Sequence, residues 1–180
     1  MKDHASTTRH SPAQTSRGRS GRDYLPLAAL LAVSVLTASA RSGVAAGSDD
    51  GATRWMHDFM GFFLVVFALL KVFNLSGFAD GFQKYDLLAR RFRPYALAYP
   101  FIELALGLGY LAFWRPATVY AATVILLGFG GLGVIRALQK GLNLECACMG
   151  TILKVPLSTV ALTEDLGMVA MASVMWVHLR

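Results

Sequence analysis

Charged residues are scarce in this sequence. They make up 16% of its 180 residues, whereas a soluble domain usually has about 25%. Hydrophobic residues make up 55% of the chain, and the mean hydropathy is +0.49. They stand in long blocks instead of the scattered, periodic pattern of a soluble core, and such blocks are typical of helices that cross a bilayer. The composition therefore excludes an ordinary soluble globular protein and predicts an all-α integral membrane protein.

Cysteine is rarer still, with only two residues in the chain. Two cysteines are too few for the disulfide framework of a small secreted domain, and the sequence has no quartet of zinc ligands. We also find no hydrolase or transferase motif. The sequence therefore leaves open whether the protein is an enzyme at all.

Acidic residues are outnumbered by basic ones, 11 to 17, which gives a net charge of +6 and a pI of about 9.6. A basic chain often binds nucleic acid, but here the basic residues fall mostly between the apolar blocks, where they orient a membrane protein. We therefore expect the lipid bilayer as a partner and no nucleic acid.

The apolar blocks divide the chain into three parts. Residues 1–23 are polar and basic, and their composition predicts a disordered leader. Residues 24–54 hold the apolar run Leu25–Ala40 and a polar linker; the run is either an uncleaved helix or, given its small terminal residues and basic leader, a signal-like segment. Residues 55–180 hold four more blocks. The expected fold is a four-helix transmembrane bundle core plus one extra N-terminal helix and a short interfacial helix.

The pattern also predicts where each element of the core begins and ends. Proline and polar residues bound the apolar blocks, and one basic, amphipathic stretch has the spacing of a helix lying on the membrane surface. The expected helices are Met56–Phe73, Tyr95–Trp114, Ala117–Ile135 and Pro156–Val177, with a turn at Asn74–Gly81, a surface helix at Phe82–Phe92 and a loop at Arg136–Val155.

The basic residues predict the orientation of these helices. Twelve of them fall in the first, third and fifth polar segments, four fall in the alternate segments, and Lys71 lies inside a helix. Because cytoplasmic loops carry the excess of lysine and arginine, we expect a multi-pass protein of a bacterial-type inner membrane. Its N-terminus and the loop with the cysteines would face the cytoplasm.

The two cysteines form one motif, Cys146-Ala147-Cys148, between two apolar blocks. Two thiols at this spacing can cycle between a dithiol and a strained disulfide, which is easily reduced and therefore suited to exchange with another protein. Cys146 and Cys148 are thus the candidate catalytic residues, and this hypothesis requires no cofactor.

Two alternatives compete with thiol chemistry. Cys146, Cys148 and Met149 offer two thiolates and a thioether, a set that suits Cu(I), and three methionines of the last helix stand at helical spacing behind them: Met168, Met171 and Met175. The protein would then bind or transport a soft metal. The other alternative is a membrane chaperone in which the cysteines do no chemistry.

Four charged residues lie within or near the apolar blocks, namely Lys71, Glu103, Glu164 and Asp165. A charge at the centre of a bilayer costs about 2.5–3.5 kcal/mol, so such groups normally face the interior of the bundle and pair. By depth along the helices, Lys71 is the expected partner of Glu103. The other two carboxylates fall on the cysteine side, where they can act on a thiol. The pair His57-Asp58 indicates an interfacial helix start.

Four segments in a fixed order resemble the MauE/DoxX-like family of redox-associated membrane proteins. They read FMGFF at residues 59–63, YDLLA at 85–89, YPFIEL at 99–104 and CACMG at 146–150. The resemblance covers roughly Met56–Trp176. It implies a helical membrane protein in which Cys146 and Cys148 match the cysteine motif of the family and Glu103 matches its acidic helix position.

The resemblance also implies a function. The MauE members of the family support methylamine utilisation, where they are needed for maturation or export of the disulfide-rich β subunit of methylamine dehydrogenase, and a thioredoxin-like protein acts with them. We therefore expect a thiol-disulfide or maturation accessory with a thioredoxin-like partner.

Overall fold

The computed structural model describes residues 25–42, 51–140 and 157–179. Six helices and no strands are found in these residues, which confirms the all-α class for the part described. The helices are α1 (Leu25–Ser42), α2 (Gly51–Phe73), α3 (Leu75–Phe82), α4 (Arg93–Leu111), α5 (Pro116–Gln139) and α6 (Leu157–His178).

The predicted turn at Asn74–Gly81 is wrong, because most of it forms helix α3. Asn74 begins this helix, and its side chain accepts a hydrogen bond from the Gly77 amide at 3.2 Å. Phe78 and Phe82, one turn apart, stack with ring centres 5.0 Å apart and are almost fully buried. An N-terminal cap and a buried aromatic pair therefore outweigh the two glycines, which had indicated a turn.

The predicted surface helix at Phe82–Phe92 is also wrong beyond its first residue. The chain there forms successive turns, and Asp86 folds it by accepting hydrogen bonds from the amides of Leu88, at 2.9 Å, and Ala89, at 2.7 Å. An aspartate that bonds the backbone two and three residues ahead favours a turn over a continuing helix. Two helices are longer than predicted, because α2 begins at Gly51 instead of Met56 and α5 continues to Gln139 instead of ending at Ile135.

The long helices pack side by side in an antiparallel manner. Two glycines bring α2 and α4 together: a Cβ atom added at Gly61 would lie 2.9 Å from the Gly107 carbonyl oxygen, and one added at Gly107 would lie 2.9 Å from the Val65 amide nitrogen. Helices α5 and α6 form a second extensive contact, and α4 joins the two pairs by packing on α5. The ends of α2 and α5 consequently lie at the same end of the molecule as the start of α6.

Helix α1 packs along α2. The Trp55 indole donates a hydrogen bond to the Ser39 hydroxyl at 3.1 Å, and the Arg41 guanidinium lies 3.1 Å from the buried Asp58 carboxylate. The Arg41 guanidinium of α1 thus compensates the negative charge of the Asp58 carboxylate. The domain boundaries proposed from composition, and the choice between an anchor and a signal-like segment, stay predictions.

Among the helices of the described residues, α2 and α5 are long and apolar enough to cross a membrane. Large apolar side chains also point outward on several helices, such as Phe73 with 85% of its surface exposed, Ile125 with 72% and Val177 with 71%. Apolar side chains on the outside are what lipid-facing helices need. That four helices of residues 55–180 cross the membrane stays a prediction.

Candidate functional site

The cysteine motif lies outside the described residues, so Cys146, Cys148 and Met149 have no geometry to report. The four charged residues predicted within the apolar blocks are all described. Each is buried, and they come from three helices. They meet at the end of the bundle where α5 ends and α6 begins.

Lys71 is the centre of this group. Its Nζ donates to both carboxylate oxygens of Glu103 at 2.7 Å and to Oε1 of Glu164 at 3.0 Å. The Lys71 side chain is 4% exposed, that of Glu103 is fully buried, and that of Glu164 is 3% exposed. The structure thus contains the Lys71–Glu103 ion pair that the sequence predicts and adds Glu164 as a second acceptor. We call Lys71, Glu103, Glu164 and Asp165 the Lys71 cluster.

Aromatic rings surround the ammonium group. Lys71 Nζ lies 5.5 Å from the ring centre of Tyr99 and 5.8 Å from those of Phe67 and Phe78. Such contacts favour a cation that has lost its water. They hold Lys71 inside the bundle and prevent it from extending to the membrane surface, the alternative for a lysine near a helix end.

Asp165 completes the cluster on α6 and lies against the glycine face of α5. A Cβ atom added at Gly131 would lie 3.4 Å from the Asp165 Cβ, and one added at Gly130 would lie 3.5 Å from its Oδ2 and 3.4 Å from the Tyr99 hydroxyl. Beside Asp165 is a cavity of about 20 Å³ that Lys71 and Glu164 also line. A cavity of this size with polar walls has room for one water molecule.

Asp86, in the connection between α3 and α4, was missed as a site residue. It is fully buried, and while Oδ1 accepts the two backbone hydrogen bonds of its turn, Oδ2 has no hydrogen-bond partner in the described structure. Burial raises the pKa of this carboxyl above its ordinary value, although the two amides oppose the shift. The signal in the sequence was the isolated acid in YDLLA, flanked by apolar residues.

A second buried polar group lies at the opposite end of α2. His57 Nδ1 is 3.0 Å from the Tyr110 carbonyl oxygen, and its Nε2 bonds the Tyr120 hydroxyl. Because a carbonyl only accepts, Nδ1 carries the proton and Nε2 of the neutral ring accepts from Tyr120. The Tyr110 hydroxyl in turn donates to Thr123 at 3.1 Å. We call His57, Tyr110, Tyr120 and Thr123 the His57 cluster.

The predicted interfacial role of His57-Asp58 is therefore incomplete, because both side chains are buried and paired. The Phe113 ring stacks on the imidazole at a centre distance of 4.1 Å. Phe113 has a positive φ of 51°, an uncommon conformation for a bulky residue, in the short connection to α5. This strained turn brings the ring over His57.

In residues 25–42, 51–140 and 157–179, no group of three or more histidine, cysteine, aspartate or glutamate side chains is arranged so that it could hold a metal ion. Met168 and Met175 are each 3% exposed and belong to the hydrophobic core. They serve as packing residues there. The Cu(I) alternative, which centres on the cysteine motif, stays a prediction.

These features define a class of protein: one whose described residues are all-helical, with candidate membrane spans and a buried ion-pair cluster that joins three helices. Residues 50–178 match the family model described as methylamine utilisation protein MauE, and the chain therefore belongs to the MauE family. The match includes α2 to α6, the Lys71 cluster and both cysteines. Comparison with the curated proteins and with the solved structures gives no match.

Proposed function

We propose that this protein is a multi-pass membrane accessory for the maturation of an exported protein, and that Cys146 and Cys148 are its working groups. The observation that carries the proposal is the family match. It spans both cysteines, and the description of the family names methylamine utilisation. We further propose that the exported protein belongs to methylamine utilisation, and the description of the family supports this. The buried ion-pair cluster, two of whose acids lie on the helix that follows the cysteines, supports a membrane protein with a functional interior.

The chemistry we propose is exchange with a thioredoxin-like partner. A thiolate of the reduced partner attacks one sulfur of the Cys146–Cys148 disulfide, which breaks that bond and forms a mixed disulfide. The second partner thiolate then attacks its own bridging sulfur, so the partner leaves as a disulfide and this chain as a dithiol. Two electrons pass from the partner to this chain, and the two departing thiolates take up the two protons that the partner thiols release.

The spacing of the cysteines sets the direction of this exchange. A disulfide across one intervening residue closes a small ring, and a strained disulfide is more readily reduced than a relaxed one. The charge distribution supports a cytoplasmic position for the motif, where thiols are kept reduced. The dithiol is accordingly the resting form in our proposal, and the transient disulfide forms when the dithiol passes its two electrons and two protons to a disulfide of the protein that is being matured.

The test uses the fact that the chain has two cysteines and no others. The Cys146→Ser/Cys148→Ser variant should reach the membrane at the wild-type level, keep its thermal midpoint in detergent, and fail to restore growth on methylamine to a deletion strain. Ala147→Ser is the matched control, because it alters the motif and keeps both thiols. Each single serine variant leaves one thiol, which can attack the disulfide of the oxidised partner in the reverse of this exchange, and one of the two variants should trap the resulting mixed disulfide.

Full complementation by the double serine variant would end the proposal. A variant that fails to accumulate would assign the cysteines a structural role. If the purified protein binds Cu(I) through both cysteines and forms no mixed disulfide in either single variant, soft-metal handling replaces thiol exchange.

A further inference from the structure

The connection between α3 and α4 presents both cations and apolar side chains on the outside of the molecule. Its turns are fixed by the backbone: the Arg90 amide donates to the Asp86 carbonyl oxygen at 3.2 Å. The amides of Arg91 and Phe92 donate to the Leu88 carbonyl oxygen at 3.0 and 2.9 Å. Asp86 is buried, whereas Leu88 and both arginines are exposed and Phe92 is 57% exposed. The turns therefore hold apolar side chains among exposed cations.

Exposed cations collect at this end of the bundle. Helix α5 passes close to the connection, because a Cβ atom added at Gly133 would lie 3.0 Å from the Tyr85 carbonyl oxygen, and Arg136 follows Gly133 by about one turn. Asp80 is the one exposed acid among the described residues, and it lies 3.0 Å from the Arg93 guanidinium. We call the six exposed cations at this end the basic surface: Lys84, Arg90, Arg91, Arg93, Arg136 and Lys140.

An apolar face of α4 begins directly beside the basic surface. Pro94, Phe101 and Leu108 are exposed and recur every seven residues, so they lie on one side of the helix. Phe101 is 51% exposed and Leu108 is 52% exposed, so no other described helix covers this face. It extends about 21 Å along the helix axis. One leaflet of a bilayer contributes about 15 Å of hydrocarbon, so the face is long enough to lie along an acyl chain.

The combination of charge and apolar surface favours a lipid over other anions. A small anion such as phosphate would use the cations and leave Phe92 and the α4 face uncovered. An anionic phospholipid uses both, because its phosphate accepts hydrogen bonds from guanidinium groups while its acyl chains cover the apolar side chains. Clusters of four or more lysines and arginines next to membrane helices attract anionic lipids for the same reason.

We propose that the basic surface binds the headgroup of an anionic phospholipid whose acyl chains lie along the exposed face of α4. Arg90 and Arg91 supply the main contacts, because they form no ion pair within the described structure. Arg93 joins them by exchanging Asp80 for the phosphate, since a pair as exposed as theirs contributes little. The inference rests on the membrane placement in the proposed function and not on its thiol chemistry, because every group in it lies outside the cysteine motif.

Native mass spectrometry of the purified protein in detergent tests this, with both cysteines replaced by serine as the background. The probes are phosphatidylglycerol and phosphatidylcholine with identical acyl chains, and phosphatidylglycerol should bind more tightly. Arg90→Gln/Arg91→Gln should reduce this preference by about 25-fold, or about fivefold for each cation removed. If that variant does not fold, Lys84→Gln/Arg90→Gln removes two cations of the same surface and should have the same effect.

Arg54→Gln/Arg115→Gln is the matched control, because it removes two exposed cations at the opposite end of α2 and α4. It should leave the preference unchanged. The apolar part of the site is tested with glycerol phosphate, which has the phosphate without the acyl chains and should not displace phosphatidylglycerol at equal concentration. Displacement by glycerol phosphate would overturn the proposal, as would equal affinities for the two lipids or equal losses in the two double variants.

Two further outcomes separate this site from the proposed function. If Arg90→Gln/Arg91→Gln keeps the lipid preference but prevents trapping of the mixed disulfide in the single serine variants, the basic surface docks a protein and the lipid proposal is wrong. If the preference is found in the cysteine-free background while the double serine variant complements fully, thiol exchange fails and the lipid site stands.

Discussion

The Lys71 cluster and the His57 cluster occupy opposite ends of the same helix and are built on different principles. Lys71 is fourteen positions after His57 in α2, which is about 21 Å along the helix axis. Both groups are buried and both join α2 to α4. One consists of four ionisable charged groups beside a cavity, and the other consists of neutral groups that satisfy one another.

The two clusters therefore differ in what they contribute to the stability of the fold. In the His57 cluster each ring nitrogen has one partner, and the donors and acceptors match without any net charge. Such a network stabilises helix packing and specifies one arrangement. The Lys71 cluster places three acids around one base, an arrangement that hydrophobic side chains of similar volume would often make more stable. Stability alone therefore does not account for this cluster.

The largest effect expected from a single change is that of Lys71→Met. Removing the ammonium group leaves Glu103 and Glu164 buried without their shared cation, and breaking a buried pair in this way costs about 3–5 kcal/mol. The free energy of unfolding in detergent measures this loss. Restoration by Lys71→Met/Glu103→Gln/Glu164→Gln is the control, because it removes the charges on both sides. If Lys71→Met costs no more than a typical surface change, the ion pair does not hold the helices.

The next effect concerns the contact that brings α2 and α4 close enough to form both clusters. In Gly107→Ala the new methyl group meets the backbone of α2, at 2.9 Å from the Val65 amide nitrogen and 3.0 Å from the Gly61 carbonyl oxygen. The helices must move apart, and we expect a loss of about 2–3 kcal/mol in the free energy of unfolding.

Gly128→Ala is the matched control for that change. It adds the same methyl group to α5, where nothing lies within 4 Å of the new atom. The thermal midpoint of Gly128→Ala should be close to the wild-type value. If the two alanine variants are equally stable, the close approach of α2 and α4 is not what holds the two clusters together.

A smaller effect is expected at the neutral end. Tyr120→Phe removes the hydroxyl that donates to His57 Nε2 and leaves a buried acceptor unsatisfied, which costs about 1–2 kcal/mol. Tyr110→Phe should cost less, because Thr123 still donates to the Val119 carbonyl at 2.8 Å. Thermal midpoints of both variants in detergent give the comparison. A loss in Tyr120→Phe as large as that in Lys71→Met would contradict the distinction between the two clusters.

The sequence predicts the Lys71–Glu103 pair of the charged cluster but not the neutral cluster, for a physical reason. A lysine or glutamate in an apolar block has to be compensated, so Lys71 and Glu103 stand out and their depths along two antiparallel helices predict the pair. Tyrosine, threonine and histidine are tolerated in many environments. Nothing in the sequence indicates that residues as far apart as His57 and Tyr120 meet in space.

The helices themselves were predicted better than their connections. Long apolar blocks predict helices because only a helix satisfies its backbone in lipid, and the four long helices of the core lie within a few residues of the expected bounds. Between α2 and α4, single side chains determine the local backbone structure. The Asn74 cap and the Asp86 turn reverse the prediction there, and both depend on local hydrogen bonds that hydrophobic periodicity does not record.

The smallest expected effect, that of Asp86→Asn, depends on pH. Burial raises the pKa of Asp86 above the ordinary value of 3.8, so the folded protein holds this proton at pH values where the unfolded chain has lost it. Stability contributed by the group is therefore complete below its ordinary pKa and is lost as the pH rises through the folded value. Asparagine does not titrate, and its oxygen can still accept from the Leu88 and Ala89 amides.

The asparagine variant should consequently match the wild type in acid and become the more stable of the two as the pH approaches neutral. Thermal midpoints of the two proteins, measured in parallel across that range, cancel the titration of every other group. A difference in thermal midpoint between wild type and Asp86→Asn that stays constant with pH would contradict this prediction. It would show that Asp86 has a further partner in the folded protein, and that the charged end of the bundle is better compensated than its described contacts imply.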